Sequence, residues 1–214
     1  MKIICFDLDN TLVDSVKAHT KAYNRVLNTF GLKSKTEKYM FSKLGRPKDE
    51  LIKLLAPKSS KNVRDEINKL HDRYLSSGYF KYAKGLKYSL EILKYLKKKK
   101  YKIAITSNCV RGNIYVILKG SGINRKYFDL LVGGDDVKRS KPYPDEILKV
   151  SKFFRKKPDF VVGDSIYDVM AGKKAKVKII AVTTGYYKEK ELKRYKPDYI
   201  IKNLKELKRI LWKK

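Results

Sequence analysis

Along the chain, short apolar runs alternate with longer amphipathic ones. Six runs read as strands: KIICFDL (2–8), KIAITSN (102–108), FDLLVGG (128–134), DFVVGD (159–164), VKIIAVT (177–183) and DYII (198–201). Their nearly continuous Ile/Val-rich character predicts strands covered on both faces, as in a parallel sheet. Between them lie helical patterns at LKYSLEILKYLK (86–97), PDEILKVSKFF (144–154) and NLKELKRILW (203–212), with Leu86, Leu90, Leu93 and Leu96 as the stripe of the first and Asn203 as the N-cap of the last. Regular alternation of strand and helix predicts an α/β, Rossmann-like doubly wound parallel sheet.

One interval breaks the alternation. Residues 15–82 carry no strand pattern, whereas SVKAHTKAYNRVLNTFG (15–31), PKDELIKLLAP (47–57) and NVRDEINKLHDRYLSS (62–77) are helical in spacing, the first ending at Gly31. The economical division is a sheet-bearing core formed by 1–14 and 83–214, with an all-helical cap (15–82) inserted after the first strand and hinges at Asp14-Ser15 and Tyr82–Gly85.

Composition narrows the class. With 214 residues, 43% of them hydrophobic, including 16 Tyr and 8 Phe, the chain can bury a core plus a small accessory unit. No apolar run reaches the roughly 18 residues of a membrane span, and acids follow residues 1–6 at once, against a signal peptide. Cys5 and Cys109, far apart in sequence, read as packed free thiols in a reducing, cytoplasmic setting. Fifty-two Lys and Arg against 22 Asp and Glu give a net charge of +30, a field that attracts anions. The lysines are spread over the chain, as in KYLKKKKYK (94–102), and read first as a solvated surface. No zinc-finger, KH or RNA-binding motif accompanies them, so nucleic acid is a minor expectation.

The chemistry-bearing residues fall where a doubly wound sheet binds ligands, at strand carboxyl ends. Asp7-x-Asp9-x-Thr11 follows the first strand, Thr106-Ser107-Asn108 the second, Lys141 in SKPYPD (140–145) opens a helix, and Gly163-Asp164-Ser165-Ile166-Tyr167-Asp168 follows the fourth. Each alone is weak: acids cap turns and helices, and one lysine among so many is unremarked. Together they put carboxylates, hydroxyls and an amine where phosphate and a divalent metal would be handled.

These motifs resemble the haloacid dehalogenase superfamily, specifically its phosphoglycolate-phosphatase-like branch with a helical cap. FDLDNTLVDS, TSN, the KPxPD-type segment and GDSxxD stand in family order over nearly the whole chain, and LGRP (44–47) is similar to a cap segment of that branch. One departure is AGKKAKVKII (171–180), where Lys176 stands at a structural position often held by Gly. The resemblance implies Asp7 as nucleophile forming an aspartyl-phosphate. It implies Asp9 as general acid and then base, a role that needs a raised pKa. Mg²⁺ would be held by Asp7, Asp164 and the Asp9 carbonyl, with Asp168 further out. Thr106, the Ser107 and Asn108 amides and Lys141 would bind the phosphoryl group, with Thr11 supporting the loop. The acid at Asp9 favours phosphoryl transfer over dehalogenation.

His19 and Arg46 are weaker candidates for substrate contact from the cap, and His71 reads as a packed or surface residue. β-Phosphoglucomutases of the superfamily carry a substrate-linked His near the His19 position. The expected activity is therefore Mg²⁺-dependent hydrolysis of a small phosphorylated metabolite, 2-phosphoglycolate first, by a monomer or homodimer. The alternatives are a β-phosphoglucomutase-like phosphotransferase, a pyrophosphatase, or a basic nucleic-acid or acidic-partner binding protein on a phosphatase-like fold.

Overall fold

The structure, a computed structural model, describes residues 1–212; the last two residues of the expected core, 213–214, lie outside the described residues. All six expected strands form: β1 (Ile3–Phe6), β4 (Lys102–Ser107), β5 (Leu130–Gly133), β6 (Phe160–Gly163), β7 (Lys178–Val182) and β8 (Tyr199–Ile201). They make one six-stranded sheet in the order β5-β4-β1-β6-β7-β8, with every pairing parallel. Side-chain alternation divides β1 between two cores. Ile4 and Phe6 join one buried cluster, and Ile3 and Cys5 join another on the opposite face.

The order has a functional consequence. The chain winds outward from β1 through β4 and β5, then returns to β6 on the other side of β1. Strand β1 is the topological switch point, where a crevice opens at the carboxyl ends of a doubly wound sheet. Asp7 follows β1, Ser107 ends β4 and Asp164 follows β6.

Two strands were not legible in the sequence. β2 (Val13–Asp14) and β3 (Lys84–Gly85) pair antiparallel at the junction with the inserted helices. Helices α1 (Val16–Thr29), α2 (Glu37–Phe41), α3 (Lys48–Leu55) and α4 (Lys61–Ser77) fill the interval between them. These helices have an apolar cluster of their own, including Tyr23, Leu27, Met40, Ile52 and Ile67. Ser60 caps α4 by accepting from the Val63 amide, and α1 ends just before Gly31, whose φ is +64°.

Around the sheet lie α5 (Ser89–Lys98), α6 (Arg111–Ser121), α7 (Asp145–Phe154), α8 (Ile166–Lys174), α9 (Glu189–Arg194) and α10 (Leu207–Trp212). Helix α5 starts later than Leu86, after Tyr88 at φ +72°, and its buried stripe is Ile92, Leu93 and Leu96; Leu90 faces outward. The expected helix over 203–212 begins as a 3₁₀ turn, with the Asn203 side chain accepting from the Lys205 amide. No helix among the described residues is long and apolar enough to cross a membrane.

Candidate active site

The turn after β1 sets the two acids. The Asp7 amide still donates to the Val162 carbonyl at 2.8 Å, extending the strand pairing by one residue. The Leu8 carbonyl then accepts from Leu12 and Val13, folding the chain back sharply. Asn10 takes φ +59° in that turn, a left-handed conformation that Asn tolerates better than most residues. The turn leaves Asp7 and Asp9 adjacent and both nearly buried.

Lys141 gathers the separate motifs. Its buried Nζ donates to Asp7 Oδ1 at 2.7 Å, to Asp168 Oδ1 at 2.6 Å and to the Thr106 carbonyl at 2.9 Å. Thr11 Oγ1 donates to Asp164 Oδ1 at 3.2 Å, joining the first and fourth motifs. Burial works against the Lys141 ammonium, but Asp168, Asp7 and Glu146 more than offset it and hold its pKa well above the usual value. One amine does not balance so many acids. Burial, aided by Asp168 and Asp9, pushes Asp7 up to about 7 against the opposing pull of Lys141. Burial, with Asp7 and Asp168 close by, pushes Asp164 well above the carboxylate range.

This imbalance tests whether a divalent cation fits. Carboxylate oxygens of Asp7, Asp164 and Asp168 lie within 4.8 Å of one another. Three buried acids facing one ammonium form a hard-oxygen cluster with negative charge in excess, which suits Mg²⁺. Asp168 is the least free of the three: its second oxygen accepts from the Ser165 amide at 3.1 Å and hydroxyl at 2.5 Å, capping α8. That leaves Asp7 and Asp164 as the open carboxylates. A Cβ at Gly185 would fall on the Asp164 carboxylate, so glycine there leaves it room.

Asp9 has different company. Ser15 Oγ donates to its Oδ1, Cys109 Sγ donates to its Oδ2 at 3.2 Å, and His19 Nε2 lies 3.4 Å from Oδ1. Burial raises Asp9, but His19, Ser15 and Cys109 outweigh it and the carboxyl sits below its ordinary value. This is opposite to the shift required of a general acid; the neighbours that stabilise its anion are the reason.

A small cavity of about 40 Å³ lies between the inserted helices and the sheet, lined by Asp7, Asp9, His19, Arg46, Ser107 and Asn108 among others. Ser107 and Asn108, expected to bind phosphate through their amides, line this cavity. Thr106 does not: it contributes its carbonyl to Lys141, while its hydroxyl is buried without a partner. Neighbouring strand residues point to opposite faces, so Thr106 and Ser107 cannot both present side chains to the cavity. Arg46 lines the cavity and donates to the Ser42 carbonyl at 2.7 Å, and the Asn108 side chain donates to the Gly45 carbonyl at 2.9 Å, tying the 44–47 segment to the end of β4.

Sequence reasoning missed a second tier. His71 is buried, stacked on Tyr23 with ring centroids 3.8 Å apart and 3.1 Å from His19 Nδ1 through its Nε2. Its Nδ1 meets Asp72 at 3.0 Å, and Asp72 also accepts from Lys48 and Asn113. Glu146, fully buried with neither carboxylate oxygen partnered, was missed too, and burial pushes it up to about 7. Only Cys109 carried a signal, since it directly follows the TSN segment; His71 lies 52 residues from His19 with nothing linking them in sequence.

The chain is similar to known proteins along nearly its whole length. Residues 4–182 match the family model described as haloacid dehalogenase-like hydrolase. A phosphoglycolate phosphatase of Aquifex aeolicus (strain VF5) is 31% identical over 218 residues, covering 99% of this chain and 97% of the relative. A pyrophosphatase PpaX of Bacillus mycoides (strain KBAB4) is 28% identical, covering 99% of this chain and 98% of the relative. A solved structure described as a haloacid dehalogenase-like hydrolase from Bacteroides fragilis superposes with a TM-score of 0.88 at 25% identity, covering 96% of this chain and 99% of that one. The chain belongs to the haloacid dehalogenase-like hydrolase family, in its phosphoglycolate phosphatase-like branch.

Proposed function

We propose that the protein is a Mg²⁺-dependent phosphatase for a small soluble phosphate monoester, with 2-phosphoglycolate as the leading substrate. The observation that carries this reading is the Lys141 ammonium set between Asp168 and Asp7, two members of the Asp7–Asp164–Asp168 carboxylate cluster, with Asp7 also lining a small cavity. The Aquifex relative, named for phosphoglycolate, supports the substrate. Both cysteines are free, which fits a reducing, cytoplasmic setting.

Asp7 is the nucleophile. Its carboxylate oxygen attacks phosphorus, and the ester oxygen leaves with a proton from Asp9, giving an aspartyl-phosphate. Asp9 then takes a proton from water, which attacks phosphorus, releases phosphate and restores Asp7. The free-enzyme pKa of Asp9 is low, and the negative charge of an incoming phosphoryl group raises it toward the value an acid needs. Ser107 and Asn108 bind the phosphoryl oxygens, with Lys141 adding positive charge and orienting Asp7. Asp7, Asp164 and the Asp9 carbonyl would hold Mg²⁺, which would supply positive charge to offset the substrate dianion and the clustered carboxylates. Helices α1–α4 act as a cap over the site, and Arg46 meets the remote anionic group of the ester.

A pyrophosphatase reading draws support from the Bacillus relative. A mutase reading is weaker: the His19 ring nitrogens face His71 and Asp9 rather than open cavity. A panel of phosphate esters and pyrophosphate, assayed with Mg²⁺, tests the proposal. The highest kcat/KM is expected for 2-phosphoglycolate; a preference for pyrophosphate would replace that substrate, and no turnover of any member would overturn the activity.

A further inference from the structure

The side chain of Asp9 faces a group of atoms that hydrolysis of a phosphate ester does not require. A ring nitrogen of His19, Cys109 Sγ and an Asp9 carboxylate oxygen lie within 4.8 Å of one another. This is one nitrogen, one sulfur and one oxygen, a donor set that hard Mg²⁺ disfavours and borderline transition metals favour.

The buried histidine pair turns one ring nitrogen into this group. Asp72, held anionic by His71 and Lys48 despite burial, accepts the Nδ1–H of His71. His71 Nε2 is then the acceptor in the 3.1 Å contact with His19 Nδ1, which turns the other His19 nitrogen toward Asp9. His19 Nε2 is buried and without a hydrogen-bond partner, 3.4 Å from Asp9 Oδ1, and a metal bound there takes the place of any proton on it. A metal-binding imidazole characteristically donates its other N–H to a fixed acceptor, and the His71–Asp72 pair provides one.

The two Asp9 oxygens each have one neighbour in the group, Oδ2 with Cys109 Sγ at 3.2 Å and Oδ1 with His19 Nε2 at 3.4 Å, and one donor atom from each residue lies within 4.8 Å of the other two. Zinc at its usual bond lengths of about 2.0–2.3 Å holds neighbouring ligand atoms about 3.3–3.8 Å apart, so rotation of the Asp9 carboxylate and a small closing of the side chains complete the site. Three protein ligands leave a fourth position toward the cavity.

We infer that Asp9, His19 and Cys109 form a second metal site, selective for Zn²⁺-like ions over Mg²⁺, whose occupation blocks the enzyme. On binding, the Cys109 thiol loses its proton to solvent and sulfur bonds the metal; no oxidant or reductant takes part. The metal holds the Asp9 carboxylate and withdraws it from proton transfer. The site itself does not depend on the phosphatase reading; only the block does.

The test is Co²⁺ titration of the full chain with Mg²⁺ saturating, followed by the sulfur-to-cobalt charge-transfer absorption and the visible bands of tetrahedral Co²⁺. Wild-type protein and Asp7→Asn should both show a band saturating at one Co²⁺ per chain. Cys109→Ser should lose the charge-transfer band, and His19→Ala should bind Co²⁺ at least about tenfold more weakly. Circular dichroism verifies that each variant is folded, with Cys109→Ala as the alternate if the serine variant is not. Zn²⁺ should inhibit Mg²⁺-supported turnover, with an inhibition constant at least about tenfold higher in Cys109→Ser, each protein measured against its own uninhibited rate. Absence of the band at saturating Co²⁺, or the same band in folded Cys109→Ser, overturns the site. A normal band without Zn²⁺ inhibition overturns the block alone, and a normal band in a protein with no turnover assigns the failure to the phosphatase reading.

Discussion

The Lys141 ammonium lies 2.7 Å from Asp7 Oδ1, joining residues 134 positions apart in sequence. Both groups are nearly inaccessible to water, so each needs the other. Replacing Lys141 with Met should leave Asp7 and Asp168 buried without their cation. Unfolding in urea should show a loss of about 3–5 kcal/mol, the usual penalty for breaking a buried pair. Unchanged stability would mean that the lysine does not compensate these acids.

Protonation and metal binding should compete. The folded pKa of Asp7 is raised to about 7 from an ordinary 3.8, and that of Asp164 is raised in the same direction. A raised acid stabilises the fold below its unfolded pKa, and that contribution is lost as pH rises through the folded value. For Asp7 the window runs from about pH 4 to 7. Above it the acids are charged and crowded, which is the form a divalent ion binds. The increase in Tm produced by Mg²⁺ should therefore be larger at pH 8 than at pH 5.5. An equal or smaller increase at pH 8 would place the metal elsewhere.

Lys176 occupies a left-handed conformation, φ +55°, just after α8. Its amide donates to the Lys173 carbonyl, closing the helix end as a C-terminal glycine would. A side chain there costs about 1–2 kcal/mol, and glycine returns part of that through greater freedom when unfolded. Lys176→Gly should raise stability by about 0.5–1 kcal/mol in the same denaturation measurement. A loss would show that lysine contacts outweigh the backbone strain.

The six sheet strands were readable because each is a compact Ile/Val run with a chemistry-bearing end. The two-residue pairing of Val13–Asp14 with Lys84–Gly85 was not, because so short a ribbon leaves no periodic pattern. Helix α6 was missed as well; Gly112, Gly120 and a run of β-branched residues mask its helical period. In the site, Asp7, Lys141, Asp164 and Asp168 were legible since strand ends and motif order announce them. His71, Asp72 and Glu146 were not. Their importance comes from packing between α1, α4, α6 and α7, which one sequence does not encode as a spacing. The charge state of Asp9 was hidden for the same reason: Ser15, His19 and Cys109 set it, and only folding brings all three to it.

The most direct test of the central claim is chemical trapping at position 7. Enzyme turning over 2-phosphoglycolate with Mg²⁺ is quenched with borohydride, which reduces an acyl phosphate to an alcohol, and the amino-terminal peptide is read by mass spectrometry. Homoserine at residue 7, absent without substrate, is the expected result. An unmodified Asp7 in a reaction that is releasing phosphate, with the quench verified on a known acyl phosphate, would contradict the covalent mechanism.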